Sequence, residues 1–378
     1  MKKLICLVTG ATVIIGASSI QAAKAAEISN SIPQTYSSSS AVTLPRTITL
    51  EESLESIETV NPEIQLLDKK IDLLNAQYEK DKGLSSFPDG EIDTVDYDLQ
   101  QKYNFKESLN NLNSAKSDRA ERIQAIKNDL KKQYLNALCD QKDIDIINKS
   151  IENIDNKIKI QNVKIEAGVA TENSVESLNT QKSNLQTSLN QINTQLQSEL
   201  LTIRQYLNLN MLQQITLTDI SEDYVKFDDS NIDERIQTAV DKNPEIVKQE
   251  NSLDLLKSKT GIYTDYYAKY ENQVKAFQIN INQSRMALDN LEINTQIGLW
   301  QSYYNLKNAE NSVDAEKANL ENAEDDLKIA GSSYAAGSTD KTAVDDANTS
   351  LEQQKNKLER AINNYVATLN DFKNSLGE

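Results

Sequence analysis

Histidine is absent from this 378-residue chain, which also has only two cysteines, five prolines and ten glycines. Without histidine, Ser-His-Asp and Cys-His catalysis and every histidine-containing metal site are excluded. The chain also lacks a recognisable nucleophile–base pair and a phosphate-cradling glycine loop. The sequence therefore predicts no enzymatic activity, no metal site and no cofactor.

Long apolar runs are missing except at the amino end. There, two lysines precede an apolar stretch and small residues frame a cleavage site, which is typical of a secretory signal peptide over residues 1–25. Loss of that segment removes Cys6, so Cys139 is left without an intramolecular disulfide partner. We expect an exported protein without a transmembrane helix, because no later run approaches the length needed to cross a bilayer.

Basic residues are outnumbered by acidic ones. The formal charge is -17, and removal of the three signal-peptide lysines makes the mature chain more acidic still. A nucleic-acid partner is excluded by this balance, since such proteins need basic patches to neutralise phosphate. On a helical chain, most of the carboxylates are expected to be solvated.

The chain repeats its own landmarks, which indicates a tandem duplication. The sequence Asn-Pro-Glu-Ile begins at Asn61 and again at Asn243, and a small glycine turn occurs at Gly168 and again at Gly337. The predicted segments are a signal peptide (1–25), a flexible Ser/Pro-containing leader (26–47), a first helical repeat (48–208), an equatorial connector with a short strand in "ITLTD" (209–230) and a second helical repeat (231–378).

Apolar spacing predicts long antiparallel coiled-coil helices. Positions from Ile123 to Ile158 that alternate by three and four are apolar except at Gln133 and Asp140, as in a coiled-coil seam. Long helices are predicted over 93–167 and 262–330, each followed by a glycine turn and a shorter return helix. Each repeat opens with a shorter helical stretch that ends at Gly83 or Gly261. The fold class is therefore all-α, and a return helix and an opening helix placed end to end match one long helix.

The order and spacing of these motifs resemble the TolC family of outer-membrane efflux proteins. The resemblance rests on "LEESLESIETVNPEI" with its echo "IDERIQTAVDKNPEI", on the turns "EAGVAT" and "AAGSTD", and on the long-then-short helix order in both halves. It implies a homotrimeric twelve-helix α-barrel. It also implies a conduit that works with a membrane-fusion adaptor protein and an inner-membrane pump of the ABC or RND type.

By this resemblance, the two glycine turns are the hairpin tips that meet the adaptor. The implied contact residues are Gly168, Val169, Ala170, Thr171, Gly337, Ser338 and Thr339. Glycine suits such a turn because it adopts left-handed backbone angles cheaply. The alternative is that these are ordinary turns between packed helices.

Acidic residues near the second turn form the other candidate site. Asp346 falls where some family members narrow the tube with aspartate rings, and Asp345 precedes it. In a trimer both would repeat around the axis and favour cations at the mouth. Alternatively, they are acids near a helix N-terminus that favour the macrodipole.

The sequence departs from the family where membrane strands are expected. The intervals after Gly83 and Gly261 are too short and irregular for strand pairs that cross a bilayer, so little or no β-barrel is predicted. Short reversals at 83–90 and around Gly261 replace them. The tyrosines after Gly261 are interpreted as packing, with an interfacial aromatic belt as the alternative.

Two functional hypotheses follow. The first is a cell-envelope conduit for efflux or type I secretion, in the outer membrane by resemblance although the strands are lacking. The second is an exported structural or surface coiled-coil protein without transport activity. An adaptor protein is disfavoured because compact β-rich domains are not indicated.

Overall fold

The structure, a computed structural model, describes residues 45–86 and 94–378, and the all-α tandem-repeat fold is confirmed for them. The predicted signal peptide and most of the predicted leader lie outside the described residues. The elements, in chain order, are β1 (Arg46–Ile48), α1 (Leu50–Val60), α2 (Pro62–Leu84), α3 (Val95–Lys102), α4 (Asn104–Glu166), α5 (Glu172–Tyr206), β2 (Ile215–Leu217), α6 (Ile232–Asp241), α7 (Pro244–Asp265), α8 (Tyr267–Ala335) and α9 (Lys341–Leu376).

Side-chain caps start the opening helices of both repeats. The Thr49 hydroxyl accepts a hydrogen bond from the Glu52 N–H at 3.3 Å, as the predicted N-cap requires. Asn61 and Asn243 cap α2 and α7, and proline occupies the first turn of each helix. Proline is tolerated there because its missing N–H has no intrahelical partner at that position.

The predicted seams are buried between the long helices. Helix α4 has 63 residues and α8 has 69, so they extend roughly 95 and 105 Å at 1.5 Å per residue. Ile126 and Leu130 of α4, and Leu306 and Val313 of α8, are almost completely buried. The three-four apolar spacing therefore faces neighbouring helices, which explains how so polar a chain packs.

The helices of the two repeats form four rods side by side. Helix α4 packs on α5 and α2 on one side and on α9 and α7 on the other, and α8 packs on α9 and α7. The Asn61 side-chain amide donates to the Tyr206 carbonyl at 3.0 Å, which joins the end of α5 to the start of α2. An ion pair of 2.6 Å between Arg235 and Glu378 joins α6 to the end of α9. The rod order is α5/α2, α4, α9/α7 and α8.

Each repeat has its own apolar core. One cluster combines α1, α4, α5 and both strands, and a second combines α6, α8 and α9. The long helices also share a burial pattern at an offset of 176 residues. The matched buried pairs are Ile123 with Leu299, Leu130 with Leu306, and Ala137 with Val313.

The predicted "ITLTD" strand is present as β2, but its partner was not predicted. Strand β1 pairs with it in parallel, with Arg46 opposite Ile215 and Ile48 opposite Leu217. The last two residues assigned to the flexible leader, Arg46 and Thr47, therefore belong to this ladder. The pairing joins segments about 170 residues apart along the chain, so no local pattern marks β1.

Two predicted helix limits are wrong. The helix predicted over 93–167 is broken at Tyr103, which has non-helical angles and a buried side chain between α3 and α4. Gly261 lies inside α7, because a helical glycine costs only about 1 kcal/mol and its neighbours Thr260 and Ile262 are buried. The second reversal is at Tyr266 instead. Residues 87–90 of the first predicted reversal, at 83–90, lie outside the described residues.

The tyrosines after Gly261 pack around this reversal. The Tyr263 ring meets those of Tyr270 and Phe277 edge-on, with centroids 5.3 and 5.1 Å apart. The Tyr266 hydroxyl donates to Asp98 of α3 at 3.1 Å. These contacts favour the packing interpretation. Across residues 45–86 and 94–378, none of the helices combines the length and apolarity that crossing a membrane requires.

Candidate docking tips and lumen acids

Both predicted turns adopt the same backbone motif. We call residues 167–171 the first tip and 336–340 the second tip. The Gly168 N–H donates to the Ile165 carbonyl at 2.9 Å and the next N–H, of Val169, donates to Lys164 at 2.9 Å. Gly337 and Ser338 repeat both bonds at 2.9 Å. This is the Schellman pattern, which satisfies the last carbonyls of a helix.

Glycine is required at both tips by backbone angle rather than by space. Gly168 has φ of 74° and Gly337 has φ of 72°. A Cβ atom added at either position would meet no atom of the described residues within 4 Å. An L-residue there would be strained by its own backbone, because left-handed angles bring Cβ close to the following carbonyl oxygen.

The helices leaving the tips start at matching positions. Thr171 is the N-cap of α5, and Asp340, 169 residues later, is the N-cap of α9. The Asp340 carboxylate accepts bonds from the Thr342 hydroxyl at 2.5 Å and its N–H at 3.0 Å, and these bonds hold the Asp340 pKa below its usual value. Sequence reasoning missed Asp340, although superposing the repeats aligns it with Thr171.

The two tips lie at the same end of the rods and are largely exposed. Val169 keeps 75% of its surface, and Tyr334 beside the second tip keeps 49%. Near this end, the Asn153 amide of α4 donates to the Thr349 hydroxyl of α9 at 3.0 Å. The exposed backbone and small side chains offer a surface that another hairpin can approach.

The candidate lumen acids, Asp345 and Asp346, differ in exposure and in their contacts. Asp346 is exposed and forms an ion pair with Lys157 of α4. Asp345 is half-buried, and its backbone carbonyl accepts from Asn153 at 3.3 Å. Both follow the first turn of α9, which begins at Lys341, so they lie beyond the part of the helix where the macrodipole is strongest. Lys157 and Asn153 were not singled out in the sequence.

Comparison with known proteins finds matches by structure but none by sequence. No family model and no curated relative matches the chain. Solved structures do match. The VceC outer membrane protein of Vibrio cholerae has a TM-score of 0.66 at 9% identity, covering 87% of this chain and 96% of that one. The CmeC outer membrane channel of Campylobacter jejuni has a TM-score of 0.63 at 11% identity, covering 87% and 85%.

A structure of CusC, described in terms of transmembrane channel formation, has a TM-score of 0.68 at 10% identity and covers 89% of this chain and 93% of that one. The chain has the TolC-like channel fold. At these identities the likeness concerns backbone architecture alone. The match spans 85–96% of the length of each of these three proteins.

Proposed function

We propose that the chain is the outer conduit of a tripartite efflux or type I secretion assembly in the cell envelope. It would act as a homotrimer and dock through both tips onto an adaptor that contacts an ABC or RND pump. The observation that carries this proposal is an apolar row on the edge helix α8. The fold supports this proposal, because the similar solved structures include one described as an outer membrane channel and one described as an outer membrane protein.

The apolar row on α8 faces away from its own chain. Its exposed members are Ile279, Met286, Ile293, Ile297 and Tyr304, each 49–66% exposed. They recur at intervals of seven or four and share one helix face. Leu288 and Leu291, about half a turn away, pack into the second core instead. On the opposite edge of the four rods, Leu66 and Leu73 of α2 are 66% and 72% exposed.

The occupant we propose for this row is the α2 edge of a second copy, and the internal repeat gives the register. Within one chain, Leu255 of α7 and Asn110 of α4 line a common groove. The offset of 182 residues places Leu73 at the Leu255 position, and the offset of 176 places Met286 at the Asn110 position. The contact between copies therefore repeats the α4–α7 contact, with Leu73 against Met286.

A head-to-tail contact of this kind either closes into a ring or extends as a filament. A double variant, Leu73→Cys with Met286→Cys in a Cys139→Ala background, tests the register. Mild oxidation is expected to give covalent trimers on a non-reducing gel. The control pairs Leu73→Cys with Ile329→Cys, which lies far along α8. Equal cross-linking in both pairs, or none in the first, would contradict the register.

Adaptor docking at the tips is tested separately. A photo-crosslinking amino acid at Val169 or Ser338 is expected to give, in intact cells, an adduct that mass spectrometry identifies as an adaptor protein. The same group at exposed Glu176, on the side of α5, serves as the control. Adducts only at Glu176 would exclude the proposed contacts.

In the proposed trimer, Asp345 and Asp346 would repeat around the mouth of the tube and favour cations there. The ion pair with Lys157 would offset part of the charge of Asp346.

The rival hypothesis is an exported structural coiled-coil protein that transports nothing. The excess of acidic residues suits it, but the unpartnered α8 row favours closure with other copies. End-on negative-stain images separate the two hypotheses. Hollow rings are expected for a conduit, and solid particles would favour the structural protein.

A further inference from the structure

Two carboxyl groups are buried against each other between α4 and α5. Glu199 is 5% exposed and Asp140 is 2% exposed. The charge of Asp140 acts on Glu199, because it contributes to raising the pKa of Glu199. Yet Glu199 Oε2 and Asp140 Oδ2 are both buried without a hydrogen-bond partner among the described residues. An orphaned buried carboxylate oxygen costs free energy unless something satisfies it.

The surrounding charges do not balance this pair. From α9, the Arg360 guanidinium lies 2.6 Å from Asp140 Oδ1 and 2.7 Å from Asp143 Oδ2, so one cation serves two acids. Within α5, the Gln195 amide donates to Glu199 Oε1 at 3.4 Å. The remaining charged neighbours from α4 and α9, Lys142 and Glu359, pair with each other at 2.7 Å.

Cys139, beside Asp140 on α4, adds no charge, because burial raises the pKa of its thiol to about 11. Glu199 is therefore a third carboxyl in a site that holds one guanidinium. Two nearby buried carboxylates repel strongly, whereas a proton on one of them removes a charge and supplies a hydrogen-bond donor.

We propose that Glu199 holds a proton beside Asp140 at neutral pH, and that loss of this proton weakens the packing of α5 on α4. This proton site joins the first hairpin and, through Arg360, the second repeat. It is independent of the proposed conduit function, because it requires only the packing within one chain.

The second repeat shows that packing alone does not demand an acid at the Glu199 position. The residue 169 positions after Glu199 is Thr368, whose hydroxyl donates to the Asn364 carbonyl of its own helix at 2.8 Å. The neighbouring core positions are equivalent, since Ile203 and Phe372 are both fully buried. The acid pair is thus specific to the first repeat.

The direction of the pH effect follows from the site. Burial, and then the charge of Asp140, raise the pKa of Glu199 from 4.5 to about 7. A raised folded-state pKa gives stability that is complete below the unfolded value and is lost as pH rises through the folded one. The unfolding equilibrium constant should therefore rise by roughly two orders of magnitude between pH 4.5 and 8 through this group.

Urea unfolding of the full chain from pH 5 to 8, at fixed protein concentration, tests the proposal. Glu199→Gln, which keeps a donor toward Asp140 but cannot ionise, should remove most of that loss of stability and exceed the wild type at pH 8. Asp140→Asn should shift this loss of stability to lower pH. Exposed Glu176→Gln is the matched control on α5 and should follow the wild type. A Glu199→Gln variant with the wild-type pH dependence would overturn the proposal.

Infrared spectroscopy in D₂O reports the proton directly. A protonated-carboxyl band should be present at pH 6, fade by pH 8 and be missing in Glu199→Gln. If the band is absent at pH 6, or sodium stabilises the wild type but not Glu199→Gln, a cation rather than a proton occupies the pair and the proposal fails.

Discussion

Asn61 and Asn243 hold the same cap with the same geometry in the two repeats. Each carboxamide oxygen accepts N–H bonds from the residues two and three positions later, at 3.0 and 3.3 Å. Within the part of the chain that the structure describes, only Asn61 makes a further side-chain bond, from its amide nitrogen to the Tyr206 carbonyl at 3.0 Å. The duplicated cap thus has an added role in the first repeat, where it joins α5 to α2.

This difference predicts unequal effects of one substitution. Asn243→Ala should lower the free energy of unfolding by about 1 kcal/mol, the usual value of a side-chain N-cap. Asn61→Ala should cost roughly 1 kcal/mol more, because the Tyr206 carbonyl also loses its donor. Chemical denaturation of both variants gives the comparison. Equal losses would show that the Asn61–Tyr206 bond adds nothing.

The tip glycines should respond to alanine in the opposite sense to a helical glycine. Gly168→Ala forces a left-handed angle on an L-residue and should destabilise by roughly 1 kcal/mol. Gly298, inside α8 with open space at its Cβ position, should tolerate alanine or gain up to about 1 kcal/mol. The urea unfolding midpoints of the two variants show whether each substitution stabilises or destabilises the protein. Destabilisation by Gly298→Ala would mean that close packing, not φ, controls these glycines.

Structural features that depend on short stretches of sequence were predictable. The turns at Gly168 and Gly337, the Thr49 and Asn-Pro caps and the seam from Ile123 to Ile158 depend on neighbours within a few residues or on helical periodicity. The duplication supplied a second copy of each signal. These are the features that fix the TolC-like fold.

Features that depend on distant contacts were not predictable. Strand β1 exists because β2 and Tyr134 reach it from far along the chain. Gly261 resembles a helix stop, but burial of Ile262 carries α7 through it. In the candidate site, the glycines were found, whereas Lys157 was missed because its partner Asp346 belongs to the other repeat.

Tyr134 should be important for holding β1 in place. Its hydroxyl is buried, lies 2.8 Å from the Ile48 carbonyl and accepts from the Thr218 N–H at 2.8 Å. Tyr134→Phe keeps the ring and removes these bonds, so we expect a loss of about 1–3 kcal/mol. Hydrogen exchange should quicken at Thr218 while the middle of α8 is unchanged. A uniform change along the chain would argue against a local role.

The apolar row on α8 gives a test in which two neighbouring residues must behave differently. Met286 lies in the row, and Ala287, also exposed, lies about 100° around the helix. Met286→Lys places a charge where Leu73 of the next copy should sit, and burying an unpaired charge is strongly unfavourable. Sedimentation velocity should show this variant dissociating at micromolar concentration, while Ala287→Lys stays assembled.

Circular dichroism separates loss of assembly from loss of folding in this experiment. Because Met286 is 66% exposed within its own chain, the variant should keep the helical content of the wild type. A second change, Leu73→Glu, supplies the opposite charge at the expected contact and should partly restore the trimer at low salt. If Leu73→Glu rescues nothing while Ala287→Lys also dissociates, then α8 closes against something other than α2, and the repeat-derived register is wrong.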